Sequence, residues 1–122
     1  MLTILIVDDI ASEAALMSKI VQDLGHTAFH VIDGEQALDI FHRHPGEIDA
    51  LLLDLTMPVK DGVETLRELR ASGSDVAVIL SSGYNEQEVA QRIHGDRFEA
   101  FVQKPYSREA LIACLHEVLA AR

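Results

Sequence analysis

Leu51-Leu52-Leu53 runs without interruption into Asp54, and the chain then passes through Met57-Pro58 to Asp61-Gly62. Such an apolar run has no polar alternation, so a strand built from it must be covered on both faces. Pro58 and Asp61-Gly62 turn the chain away from further strand. Asp54 stands where the apolar run gives out. A carboxylate there costs desolvation free energy unless a cation or hydrogen-bond donors meet it.

The rest of the chain supplies the covering layers. Leu2–Val7 is a short β-branched apolar run ending in Asp8-Asp9, and Ser12 to Leu24 carries Ala14, Met17, Val21 and Leu24 on one helical face, closed by Gly25. Thr27–Ile32 is a second strand, less uniformly apolar and therefore nearer an edge. Asp33 is set to cap a helix through Ala37, Ile40 and Phe41, which Pro45-Gly46 ends. Asp49–Asp54 is the third strand, and Val63, Leu66 and Leu69 mark a helix broken at Ser72-Gly73-Ser74. Val76–Leu80 is a fourth strand followed by Ser81-Ser82-Gly83. A polar helix, Asn85–His94, turns only Val89, Ala90 and Ile93 inward, and Gly95-Asp96 closes it early. Phe98–Val102 is a fifth strand leading to Lys104-Pro105. Ser107 opens a last helix striped by Leu111, Leu115, Val118 and Leu119. Five strands alternating with five helices predict an α/β fold, a parallel sheet covered on both faces. Periodicity leaves the strand order open.

Composition bounds the function. The 122 residues, 48% of them hydrophobic, form one domain spanning 1–122 with a core that needs no staples. Ten basic residues against 20 acidic ones give a formal charge of -10, which argues against a nucleic-acid surface. Most of those carboxylates serve solubility. The single cysteine, Cys114, forms no internal disulfide and shares a helical face with Leu111, Leu115 and Val118, as a structural thiol does. No apolar run reaches membrane-spanning length, so a cytoplasmic location without membrane contact is expected.

In a covered parallel sheet, ligands bind outside the carboxyl ends of the strands. Those ends carry Asp8-Asp9, Asp54, Ser82 and Lys104. Three carboxylates at one edge repel unless a cation joins them, and oxygen-only ligands suit Mg²⁺. A lysine and a hydroxyl beside the metal point to an anionic phosphoryl group. Neither G-x-x-x-x-G-K-[ST] nor G-x-G-x-x-G is present to cradle a nucleotide. The phosphoryl group is therefore expected on a side chain, with Asp54 as the carboxylate nucleophile.

Asp8-Asp9, Asp54 with Met57-Pro58 and Asp61-Gly62, Ser82-Gly83 and Lys104-Pro105 together resemble the receiver domain of two-component response regulators, in order and spacing and over the whole chain. The resemblance implies a flavodoxin-like (βα)5 fold with strand order 2-1-3-4-5 and a cis peptide before Pro105. It implies that Asp54 accepts the phosphoryl group. Asp9, Asp54 and the Thr56 backbone carbonyl ligate Mg²⁺, with Asp8 acting mainly through water. Lys104 pairs with the phosphoryl oxygens, Ser82 swings in to bond them, and Phe101 is the aromatic that turns inward with it. The implied partners are a sensor histidine kinase or histidine phosphotransfer domain as donor, and an unspecified partner on the face of helix four, strand five and helix five. The segments Leu80–Tyr84 and Phe101–Tyr106 are similar to receivers at the C-terminal end of hybrid sensor kinases; a free-standing regulator fits equally well.

Each residue also has a plainer role. Asp8 can cap a helix, Ser82 can be turn chemistry, Lys104 can be solvated, and Phe101 is core by default. The six histidines show no ligand spacing and are read as surface or structural. Thr56 and Tyr84, each two positions past a site residue, stand where this family tunes phosphate lifetime, and their identities predict slow autodephosphorylation. Two rivals remain. A metal-dependent phosphatase with an aspartyl intermediate usually wants an acid where Thr56 stands, and a pseudo-receiver would bind partners without phosphorylation. No stand-alone enzyme is expected.

Overall fold

The computed structural model describes residues 2–55, 61–93 and 95–120. Ten elements alternate: β1 (Thr3–Val7), α1 (Ala11–Asp23), β2 (Thr27–Val31), α2 (Gly34–Arg43), β3 (Ala50–Asp54), α3 (Gly62–Ala71), β4 (Ala77–Ser82), α4 (Glu86–Ile93), β5 (Ala100–Gln103) and α5 (Arg108–Leu119). The strands form one parallel sheet in the order β2-β1-β3-β4-β5. This is the flavodoxin-like (βα)5 arrangement that the resemblance implies.

Strand pleating sorts the apolar runs into two cores. Leu5, Val7, Leu51, Leu53, Val78 and Leu80 face α2, α3 and α4, where Ala37, Leu66, Leu69, Val89 and Ile93 meet them. Ile4, Ile6, Leu52 and Ile79 face the other way, onto Ala14, Met17, Ile20 and Val21 of α1 and Leu111, Leu115, Val118 and Leu119 of α5. The leucine run of β3 is buried throughout because it lies mid-sheet with a helical layer on either side. β2 is an edge strand, and its Phe29 is 53% exposed.

Local chemistry sets the boundaries. The carboxylates of Asp33 and Asp61 accept from the amides of Gln36 and Glu64, capping α2 and α3. Asn85 and Glu88 form a reciprocal capping box at α4, and the Ser107 hydroxyl accepts from the Ala110 amide at α5. Gly25 and Gly95 take φ values of +90° and +92° just past α1 and α4, as helix-closing residues.

Three expectations need correction. β4 continues through Ser81 and Ser82 rather than ending at Leu80, because both still pair with β5, against Val102 and Gln103. β5 begins at Ala100 rather than Phe98, since the Arg70 guanidinium takes up the Arg97 carbonyl at the entrance to the strand. In α4 only Val89 and Ile93 are buried; Ala90 points to solvent.

Candidate functional site

Parallel pairing brings the chemistry to one edge. Val7 of β1 is level with Leu53 of β3, so Asp8 and Asp54 leave adjacent strands at the same height. Asp54 is in turn level with Ser81 of β4, and Ser82 is level with Gln103, the residue before Lys104. The Lys104 amide donates to the Ser82 carbonyl at 2.7 Å, and the Lys104-Pro105 peptide is cis, as the resemblance implies.

Asp8 is fully buried and Asp54 is 3% exposed. The Asp8 amide donates to the Val31 carbonyl (3.1 Å), its Oδ1 accepts from the Ile10 amide (2.8 Å), and His30 Nε2 lies 2.7 Å from its carbonyl oxygen. Its Oδ2 has no hydrogen-bond partner among the described residues. Burial is the main reason its carboxyl is pushed up to about 6; the Ile10 amide and Lys104 oppose that shift, and the neighbouring Asp54 adds to it.

Lys104 Nζ sits among three carboxylates, 2.5 Å from Glu13 Oε1, 3.4 Å from Asp54 Oδ1 and 3.8 Å from Asp8 Oδ2. Burial works against its charge. The carboxylates, led by Glu13, which accepts a hydrogen bond from the Lys104 ammonium, outweigh burial and hold the ammonium above its ordinary range. One ligand oxygen from each of Asp8, Glu13 and Asp54 falls within 4.8 Å of the others. The two buried acids of this set, Asp8 and Asp54, offer oxygen ligands alone, and the Asp8 oxygen without a hydrogen-bond partner among the described residues fits a hard divalent cation.

Asp9 is exposed and does not join this cluster, whereas Asp8, expected to act through water, is the buried acid. Thr56, Met57 and Pro58 fall outside the described residues. Ser82 is buried, and its Oγ accepts from the Tyr84 amide at 2.9 Å. Phe101 is half-buried against the core under α4, and Cys114 Sγ lies 3.9 Å from its carbonyl oxygen. The Tyr84 ring is 40% exposed, with the Arg92 guanidinium 4.6 Å above its centroid.

Two residues of the site escaped the sequence reading. Glu13 reads as an acid in the first turn of α1, an ordinary place for one near a helix N-terminus. Gly62 reads as turn chemistry, yet a Cβ there would lie 2.5 Å from the Asp54 carbonyl oxygen and 2.6 Å from Leu55 Cα. Its own amide donates to the Leu55 carbonyl at 3.0 Å. The start of α3 is thus laid against the backbone that carries Asp54, an approach only glycine allows.

The chain is 34% identical over 119 residues to the sensor kinase CckA of Brucella abortus, covering 96% of this chain and 12% of that protein. It is 32% identical over 118 residues to the transcriptional regulatory protein CpxR of Escherichia coli, covering 95% of this chain and 48% of that protein. The chain thus spans half or less of these curated relatives. Among solved structures it is similar to the receiver domain of the sensor histidine kinase PA1611 from Pseudomonas aeruginosa, which has a magnesium ion coordinated in its active-site cleft. That match has a TM-score of 0.86 at 27% identity and covers 98% of each chain. The family model for the response regulator receiver domain matches residues 4–116, most of the fold and every acid of the site. The chain belongs to the response regulator receiver domains of two-component systems.

Proposed function

We propose that this receiver takes a phosphoryl group from a phosphohistidine onto Asp54 and changes its preference for a partner when it does so. The observation that carries this reading is the buried Asp8 Oδ2, without a hydrogen-bond partner among the described residues, beside Asp54 and Lys104. A pocket that leaves a carboxylate oxygen unbonded in the interior is costly as pure structure, and it is suited to a cation. Asp8 and Asp54 would hold Mg²⁺, with Asp9 and the Thr56 carbonyl as the ligands the family resemblance adds; when bound, the ion supplies neutralisation of the phosphoryl oxygens. The magnesium in the PA1611 receiver supports that assignment.

In the transfer, an Asp54 carboxylate oxygen forms the new P–O bond while the donor's P–N bond breaks. The electron pair returns to the imidazole nitrogen, which takes up a proton. Lys104 meets the added charge from the end of β5 and Ser82 from the end of β4, two strands that lie on the same side of β3. The face of α4, β5 and α5 follows through Phe101, which shares a core with α4. A histidine kinase or histidine phosphotransfer domain is the donor.

The test is incubation with Mg²⁺ and acetyl phosphate, or with beryllofluoride, comparing the wild type with Asp54→Ala. Modification or binding in the wild type alone supports the proposal. None in either leaves a pseudo-receiver, a binding module that works unphosphorylated.

A further inference from the structure

We infer that Glu13 is a positioning residue for Lys104, holding its ammonium in the unphosphorylated domain and giving it up when the phosphoryl group arrives. The inference rests on the phosphoacceptor reading of Asp54. Lys104 carries one charge and has three carboxylates around it, and the nearest belongs to neither acid of the strand ends. Glu13 sits on α1, 91 residues away in sequence, so the pair ties the first helix to the turn after β5.

The three acids differ in what release costs them. The side chains of Asp8 and Asp54 are 0% and 3% exposed, while that of Glu13 is 34% exposed. Glu13 can turn out to water, which solvates it; the other two are fixed by the strands that carry them. A phosphoryl group on Asp54 brings more charge and more acceptor oxygens than Glu13 offers, so Lys104 exchanges a partly solvated partner for a buried one. Glu13 thereby sets how readily the switch closes.

Beryllofluoride affinity is measured in Mg²⁺ for the wild type, Glu13→Gln, Lys104→Ala and the double variant. Glu13→Gln keeps the shape and removes the charge. The expected result is a roughly three- to fivefold gain in affinity, the scale of a partly exposed ion pair, that disappears in the Lys104→Ala background. A gain that persists without Lys104 would mean general repulsion of the anion. A loss accompanied by weaker Mg²⁺ binding would make Glu13 a metal ligand. Either overturns the inference. The Lys104 ammonium resonance, recorded without beryllofluoride, tests the pair independently of phosphorylation. It should exchange with water more slowly in the wild type than in Glu13→Gln, and equal rates would sink the proposal. Wild type that holds Lys104 in this way yet binds no beryllofluoride would instead refute the phosphoacceptor reading.

Discussion

Asp8 has one oxygen bonded to the Ile10 amide and another with no hydrogen-bond partner among the described residues, so its charge is costly until a cation arrives. Its folded carboxyl sits at about 6 against an ordinary 3.8. The folded state therefore binds the proton more tightly than the unfolded chain. The stability this contributes is complete below pH 3.8 and is lost as pH rises towards 6. In chelator, urea midpoints should fall across that window by the equivalent of up to about 3 kcal/mol. Asp8→Asn should flatten the fall and be the more stable protein at neutral pH; a wild type whose midpoint rises over that range contradicts the account. Gly62→Ala should cost about 1–3 kcal/mol, since the new methyl meets the Asp54 and Leu55 backbone before it meets the movable Leu55 side chain, whose Cδ2 lies at 3.0 Å. It should also slow phosphorylation at Asp54, read with acetyl phosphate. Asp54 and Lys104 were legible in the sequence because each stands at or within two residues of the end of an apolar run and is followed by Pro within a few positions, whereas Ser82 reads equally as turn chemistry until the family resemblance is added. Glu13 and Gly62 were not. One lies a helical turn beyond its strand end, and the other acts through backbone proximity that spacing does not encode.

At the scale of elements, helices differ in how much of themselves they bury. α1 anchors Ala14, Met17, Ile20 and Val21, whereas the eight residues of α4 anchor only Val89 and Ile93. Amide exchange should show α4 opening well before α1, and comparable protection in the two would refute this. The Arg92 guanidinium over the Tyr84 ring ties α4 back to the loop whose amide holds Ser82 Oγ. Tyr84→Ala should therefore loosen α4 further and, if the ring shields the phosphate as its position two past Ser82 predicts, shorten the life of the acyl phosphate. Unchanged phosphate loss would rule the ring out as a shield. By contrast, Leu115→Ala in α5, a fully buried contact, should cost about 2–5 kcal/mol in urea unfolding without a specific effect on α4. The ten elements were readable because apolar period switches cleanly between strand and helix. Their ends were less so: β4 runs on through two serines because sheet pairing overrides side-chain polarity, and β5 starts late because a distant arginine claims a carbonyl. Strand order came from the family resemblance, since each crossover looks alike in sequence.

The molecule as a whole carries a formal charge of -10, and part of it converges on one end of the sheet as Asp8, Glu13 and Asp54 around Lys104. Two kinds of cation effect should therefore separate. Salt screens the diffuse repulsion of the surface and stabilises modestly, whichever cation is used. A divalent ion held by the buried acids stabilises by mass action, about 1.4 kcal/mol at a tenfold excess over its dissociation constant. For a domain of this length that is a melting-temperature gain of about 5 °C. MgCl₂ should exceed NaCl of equal ionic strength by that margin near neutral pH. The excess should shrink as pH falls through about 6, where Asp8 takes up its proton and the ion must displace it. Asp8→Asn should abolish the excess while leaving the NaCl response intact, because it removes one buried charge and hardly alters the surface field. Equal stabilisation by the two salts in the wild type would mean that the acids at the strand ends act only as part of the general charge, with no cation site among them.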